Sequence, residues 1–382
     1  QLGLRRVAAL GGTLAFALAP AFCRYACLAA VYSLNTALLV AALNCWVRWS
    51  AVPAPSDAKW LWAAAFFTGL ALTNHPTAAF IVPAAVAFVV LHWIPDGVLP
   101  RRSSPGPGKG QETDLGKRPR LRELLVAVVF FALPGLLYLY VPLRLWASGA
   151  CVPGVNLAES IAKGRMPPYV DCALESFVDY VTGRSLLVSY DVEWGMLWSS
   201  LPKMLIDQFG RALAVLGAVG SVVWLVRRPR SWVLLMVLLL PAAAYAVTYD
   251  ADFAARDEIA HLEGHLLPAL LVFSLWIGQG INGIIEAMMR LFGPSWLANS
   301  MAALLLILAL SLHLWRSGLP TARDQVQSLA IQRYWTEVLS YPLEPGAALT
   351  GHWGDLTAFW YFQHGEGQRP DLWGIYPPSM SK

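Results

Sequence analysis

Arg227-Arg228-Pro229-Arg230 runs straight into Ser231-Trp232-Val233-Leu234-Leu235-Met236-Val237-Leu238-Leu239-Leu240-Pro241-Ala242-Ala243-Ala244-Tyr245-Ala246-Val247-Thr248, a basic cluster followed by eighteen uncharged residues. A helix needs about 20 predominantly apolar residues to cross the hydrocarbon core of a bilayer. This stretch comes close, and its basic flank sets a direction. Comparable windows recur at roughly 7–22, 26–47, 59–74, 76–94, 124–146, 209–226, 265–284 and 297–315. They predict eight or nine membrane segments, according to whether Pro20, Arg24 and Tyr25 mark a tight turn or a broken helix.

Composition says the same. Of 382 residues 57% are hydrophobic and 14% charged, against roughly 25% charge in a soluble domain. The 17 Trp and 13 Tyr suit aromatic belts at the two interfaces, and a net charge of +4 gives no basis for a nucleic-acid partner. Five cysteines are too few for a disulfide scaffold, and none has metal-ligand spacing beside a histidine cluster. Cys151 and Cys172, in one predicted loop, are the two placed to bridge. Arg5, Arg6 and the apolar run after them imitate a signal peptide, but the further apolar segments argue against that reading. The abrupt start at Gln1 and the end at Lys382 read as a fragment of a longer protein.

Lys and Arg in short loops collect on the cytoplasmic side. Arg5 and Arg6, Arg48, the stretch Arg101 to Arg122, Arg227 to Arg230, and Arg290 all fall on one side when nine crossings are counted between them. The opposite, extracytoplasmic face then holds Cys23 to Tyr25, the turn at Asn74-His75-Pro76, the loop 147–208, the acidic loop 249–263 and everything after Trp315. Residues 97–122 form a cytoplasmic linker, flexible over the Gly-, Pro- and Ser-rich run Ser103 to Gly116. Within the long loop, Leu174, Phe177 and Val181 have helical spacing for an amphipathic surface helix. The domain reading is a helical membrane unit over 1–315 and an extracytoplasmic segment over 316–382. There, a helix at Thr321 to Ser340, a strand at Ala347 to Thr350 and a helix at Leu356 to Gln363 suggest a small α/β unit.

Phosphate-binding glycine loops, nucleophile elbows and zinc-binding histidine pairs are missing from the sequence. Chemistry therefore rests on polar residues at membrane depth or at its edge, which are costly there. Leu72-Thr73-Asn74-His75-Pro76-Thr77 sets an amide, an imidazole and two hydroxyls at a helix-to-helix turn, suited to an anionic headgroup. It reads equally as a plain turn in which Asn74 caps the next helix and Pro76 takes its first position. Tyr138-Leu139-Tyr140-Val141-Pro142-Leu143-Arg144 ends a membrane helix and puts a guanidinium, which can donate two hydrogen bonds at once, at phosphate height; it is otherwise a snorkelling interfacial arginine. The run from Asp250 and Asp252 through Arg256, Asp257 and Glu258 to His261 and His265 supplies carboxylates for acid and base work, or is a solvated acidic loop. Tyr32 and Asn35, within a membrane helix, are polar contacts or packing hydrogen bonds.

The run Tyr25-Ala26-Cys27-Leu28-Ala29-Ala30-Val31-Tyr32-Ser33-Leu34-Asn35, the Gly69-Leu70-Ala71-Leu72-Thr73-Asn74-His75 turn with Pro83 after it, and Tyr138 to Arg144 share an order and spacing. Together they resemble a large bacterial multipass membrane family, domain of unknown function 2723, whose animal members are protein O-mannosyltransferases. Gly264-His265-Leu266-Leu267-Pro268 and Arg369-Pro370-Asp371 are similar to it too. The resemblance implies a GT-C glycosyltransferase fold, an all-α polytopic bundle that takes a sugar from a polyprenyl-phosphate donor and transfers it outside the membrane.

By that resemblance His75, Arg144, Asn74 and Arg256 bind the donor phosphate, and Tyr32, Asn35, Arg24 and Tyr140 contact substrate. Two departures stand out: Ala30 replaces the usual Glu before Val31-Tyr32, and the loop that normally carries the GT-C catalytic acid falls before Gln1. Asp250 and Asp252 then stand in as catalytic carboxylates or as helpers of a divalent metal. The implied protein is an integral, multi-pass enzyme of a bacterial inner membrane. Its partners would be membrane lipid, the lipid-linked sugar (mannose or another hexose) and a protein or glycan acceptor. The rivals are a transporter or flippase of a lipid-linked solute, which favours buried polar residues and internal repeats, and a non-catalytic subunit of an envelope complex.

Overall fold

The structure is a computed structural model that describes residues 5–26, 31–51, 58–93, 120–140, 143, 194–254, 263–293, 296–313, 315–316, 330–351 and 353–375. Arg144, Arg256, Ala30, Cys151, Cys172, residues 97–119 of the expected linker and the surface helix expected near Leu174 lie outside them, while the last linker residues, Leu121 and Arg122, already belong to a helix. The chain forms two compact units, Gln1–Pro320 and Thr321–Lys382.

In the first unit the helices are α1 (Arg6–Ala17), α2 (Pro20–Ala26), α3 (Val31–Ala51), α4 (Ala58–Asn74), α5 (Ile81–Trp93), α6 (Leu121–Ala132), α7 (Trp194–Arg227), α8 (Pro229–Ala254), α9 (Glu263–Phe292) and α10 (Trp296–His313). Tight 3-10 turns at Pro76–Phe80 and Leu133–Leu139 precede α5 and extend α6. Leu121–Leu139, Trp198–Arg227, Pro229–Ala246 and Gly264–Leu291 are long and apolar enough to cross a membrane, and the pair α1 and α2, bent by 67°, adds a fifth if it is one span. This fits an all-α polytopic membrane protein, although four or five among the described residues is short of the predicted eight or nine. The shortfall has local causes. At 21 residues α3 is long enough, but Ser33, Asn35, Thr36, Asn44 and Arg48 dilute its apolarity, while α4, with 17 residues, falls just short in length.

The central helix is α9, whose spanning window is 83% buried, against 11% for Leu121–Leu139 at the periphery. Glycines let its neighbours approach. A Cβ on Gly220 of α7 would run into the carbonyl of Trp276, and one on Gly280 into that of Leu216. Gly12 of α1 likewise leaves no room beside the Ser274 carbonyl, and Gly69 of α4 none beside that of Phe131. With little hydrophobic drive between helices in lipid, such close backbone packing is the main cohesive term.

The loop predicted over 147–208 ends earlier than expected, because α7 is already helical from Trp194. Its kink falls at Gly210, where φ is 74° and ψ is 160°, a conformation in which a side chain would be strained. Pro202, Lys203 and Asp207 obscure this first half in the sequence, since they interrupt the apolar pattern without stopping the helix.

Helix directions order the ends of the unit. The backbone amide of Arg5 donates to Asn282, whose amide donates to Glu286, which pairs with Arg227 at 2.8 Å. Arg48, at the end of α3, lies over the ring of Trp60, near the start of α4, at 4.5 Å. Trp62 donates to the carbonyl of Glu123, and Tyr138 to that of Leu72, so α4 and α6 run parallel. Arg5, Arg6, Arg48, Lys59, Arg120, Arg122, Arg227, Arg228, Arg230 and Arg290 are therefore at one end of the bundle. Among the described residues of this unit, Arg24, Lys203, Arg211 and Arg316 are the basic exceptions.

The second unit contains α11 (Ala330–Ser340), β1 (Ala348–Thr350), α12 (Trp353–Trp360) and β2 (Trp373–Ile375), with β1 and β2 parallel and Ala348 paired with Trp373. Its small core is Trp335, Leu339, Leu356, Phe359, Phe362 and Leu372. Arg369, with φ at 45°, clamps Asp371 through two nitrogens and donates to the Leu343 carbonyl at 2.9 Å. That clamp holds the carboxyl of Asp371 below the ordinary carboxylate range.

Candidate functional site

Opposite the basic end, five elements bring aromatic and imidazole rings together. Tyr32 sits one residue into α3, and its ring centroid is 4.9 Å from Tyr25 of α2, 5.1 Å from His75 and 5.2 Å from His265 at the head of α9. His75 and His265 are 5.6 Å apart, and Tyr245 of α8 meets His265 at 5.2 Å. Tyr32 Oη and His265 Nε2 share a hydrogen bond of 3.3 Å. The approach depends on Gly264, where a Cβ would lie 2.8 Å from the Tyr32 ring.

His75 occupies the turn between α4 and the 3-10 segment. Its backbone is extended, and its Nδ1 accepts the backbone N–H of Thr77 at 3.3 Å, with Pro76 at the first position of the turn. The cap expected of Asn74 is thus made by His75. Asn74 instead donates through Nδ2 to the carbonyl of Val31 at 3.1 Å, tying the end of α4 to the start of α3. Thr77 Oγ1 lies 2.7 Å from His75 Nδ1 and accepts from Asn35 Nδ2 at 3.3 Å. Burial pushes the His75 imidazole down to about 4, because a desolvated site disfavours the charged ring.

The structure thus gathers Tyr32, Asn35, Asn74 and His75, four of the residues singled out from the sequence. Arg24 stands in the last turn of α2 beside Tyr25. Tyr140 is 68% exposed, whereas Tyr138 reaches back to Leu72. A 3-10 turn advances about 120° per residue, so side chains two apart point to different sides. Asp250 and Asp252 lie near the end of α8, their side chains outside what the structure describes; Arg144 and Arg256 are outside it altogether. Among the described residues no group of three or more His, Cys, Asp or Glu side chains is placed to hold a metal ion.

Sequence reasoning left Tyr245 and Tyr25 without roles, took Thr77 only as one of two hydroxyls at the turn, and grouped His265 with the ionisable run after Asp250 while opening an apolar helix at the same residue. A signal did exist for His265, since an imidazole directly before Leu266-Leu267-Pro268 is a polar residue at the head of an apolar helix.

Chemically the cluster offers hydrogen-bond donors and aromatic faces and, apart from its tyrosine hydroxyls, no acid among the described residues. It can orient an uncharged polyol or an anion. A family model described as the Protein O-mannosyl-transferase TMEM260 N-terminal domain matches residues 2–95, a stretch that includes Tyr25, Tyr32, Asn35, Asn74, His75 and Thr77 and stops well short of Tyr245 and His265. No curated protein and no solved structure matches the chain. Over about its first quarter, then, the chain is similar to a protein O-mannosyltransferase domain.

Proposed function

We propose that the chain is a membrane glycosyltransferase of GT-C type that moves a sugar, mannose or another hexose, from a polyprenyl-phosphate donor to a protein or glycan acceptor on the extracytoplasmic side. The observation that carries this reading is the gathering of Tyr32, Asn35, His75 and Thr77, all within the matched stretch, at the end of the bundle away from the basic helix ends. Under the positive-inside rule that end faces outward. A donor with its lipid tail between helices and its phosphate at headgroup height would meet this end first.

In the proposed step an acceptor hydroxyl attacks the anomeric carbon while the bond from that carbon to the phosphate oxygen breaks. The bonding pair leaves with the polyprenyl phosphate, and the hydroxyl proton passes to a carboxylate. Asp250 or Asp252 is assigned that base. Each lies on α8 beyond Tyr245, about 7 to 11 Å along the axis at 1.5 Å per residue. Arg144 and Arg256 supply positive charge to the departing phosphate, and His75 and Asn74 hydrogen-bond it. Tyr32, Arg24 and Tyr140 face the sugar or its acceptor, and Asn35, buried behind Thr77, acts on the donor through His75.

The test measures transfer from radiolabelled polyprenyl-phosphate hexose in membranes holding the full-length protein, with His75→Ala, Arg144→Ala and the double variant Asp250→Asn, Asp252→Asn. Loss of a preorganised donor to developing negative charge costs about 10²-fold or more in rate, so each variant should fall at least that far at normal expression. No wild-type turnover with common donors, or unchanged rates in the variants, turns the reading toward a transporter or a non-catalytic subunit.

A further inference from the structure

We propose that Asn35 and Thr77 are positioning residues that hold His75 as a neutral imidazole with its proton on Nε2, so that the site meets an anionic ligand with a hydrogen-bond donor and not with a cation. The anionic ligand rests on the glycosyltransferase reading; the lock on the ring does not.

The direction of each hydrogen bond fixes the argument. A backbone amide can only donate, so the Thr77 N–H directed at His75 Nδ1, at 3.3 Å, favours a lone pair there. Pro76 has no N–H, and the amide of Thr77 is the first that the turn can offer. With that lone pair in place the Thr77 hydroxyl, 2.7 Å from the same nitrogen and the shorter contact, shares it as the closer donor, and its oxygen accepts from Asn35 Nδ2. The relay thus runs from Asn35 through Thr77 to His75. A proton on Nδ1 would set N–H against N–H at the cap and reverse the hydroxyl.

Burial makes the relay stiff. Asn35 is 2% exposed and Thr77 is 4% exposed, and hydrogen bonds in so dry a place are stronger than in water. Among the described residues Asn35 Oδ1 is buried with no hydrogen-bond partner, so its contact to Thr77 runs through Nδ2. The titratable groups facing His75 are Tyr32 from α3 and His265 from α9, with Tyr25 of α2 and Tyr245 of α8 beyond them. None is an anion at neutral pH, so nothing among the described residues favours an imidazolium. Nε2 keeps its proton and has no protein partner there. Charge compensation for a phosphate then falls to a guanidinium.

Nitrogen NMR on the full-length protein, labelled with ¹⁵N-histidine and assigned by the loss of one signal in His75→Gln, reads the ring directly. Wild type near pH 7 should show a bare Nδ1 and a protonated Nε2, Thr77→Val should mix the tautomers, and Thr77→Ser should restore the single form. A wild-type ring protonated at Nδ1, alone or with Nε2, overturns the lock, as does an unmixed ring in a folded Thr77→Val. The second arm measures binding of undecaprenyl phosphate to the protein in nanodiscs. Thr77→Val should weaken it about tenfold, the value of one such hydrogen bond, with rescue by Thr77→Ser. Wild type and His75→Gln should share one pH profile, because the ring stays uncharged. A wild-type affinity that climbs below about pH 6.5 only while His75 is present would show a cation and overturn the proposal. If wild type binds no polyprenyl phosphate at all, the donor reading fails and the ring spectrum still decides the lock.

Discussion

At the scale of single residues, His75 spends one ring nitrogen on the cap of the Pro76 turn. Its pH behaviour follows. The folded ring titrates at about 4, below its ordinary value near 6.5, so the folded state binds its proton later than the unfolded one does. The stability of this turn should be complete above about pH 6.5 and should decline as pH falls through about 4. Thermal melts across that range should show the decline, and His75→Gln, which cannot titrate, should flatten it; an equal slope in both proteins counts against the buried neutral ring. Gly264→Ala tests the neighbouring contact. A Cβ there meets the Tyr32 ring, and overpacking of this kind costs about 1–3 kcal/mol, more than the propensity gained by replacing glycine in a helix. The expected result is a lower melting temperature together with weaker transfer. Much of this cluster was legible, since Tyr32, Asn35, Asn74 and His75 are polar residues in apolar company. What escaped was partnership across the chain. Nothing in the local pattern at Gly264-His265 says that the helix head will meet a tyrosine 233 residues earlier, and the expectation that Asn74 caps the turn follows a preference that His75 overrides here.

At the scale of elements, apolar windows place most helices within a few residues, because 20-residue hydrophobic runs have few other fates. Breaks are less legible. The kink at Gly210 and the bend after Ala17 sit where tertiary packing decides whether a glycine or a proline turns the chain or merely interrupts it. Close packing through glycine is also silent in the sequence, since Gly220 and Gly283 look alike there. They are not alike in the fold, where a Cβ on Gly220 strikes the Trp276 carbonyl and a Cβ on Gly283 meets nothing within 4 Å. Gly220→Ala should therefore destabilise the contact of α7 with α9 by about 1–3 kcal/mol. Gly283→Ala should gain up to about 1 kcal/mol from helix propensity. Thermal unfolding of both variants under one detergent condition checks the pair, and equal shifts would mean that the crossing of α7 and α9 is looser than the backbone suggests.

At the scale of the whole bundle, function depends on which end faces outward, and the charge distribution gives the first argument. Ten Lys and Arg residues at one end, counted from Arg5 to Arg290, oppose four at the other among the described residues of the helical unit. The aromatic and imidazole cluster belongs to the second end. The 21-residue interval on α9 between His265 and Glu286 separates the cluster from the Arg227 ion pair by about 30 Å, the thickness of a hydrocarbon core. If basic residues mark the cytoplasmic side, a cysteine at Thr73, next to the site, should react from outside an intact cell with a membrane-impermeant maleimide, and one at Gly293, just past Arg290, only after lysis. The native cysteines are replaced first, so that the signal comes from the introduced thiol. The opposite pattern would invert the orientation and leave a polyprenyl-linked sugar on the far side from its proposed site, ending the glycosyltransferase reading in its extracytoplasmic form even if every local geometry held. The expected pattern confines the reaction to the outer leaflet, where the acceptor must also be.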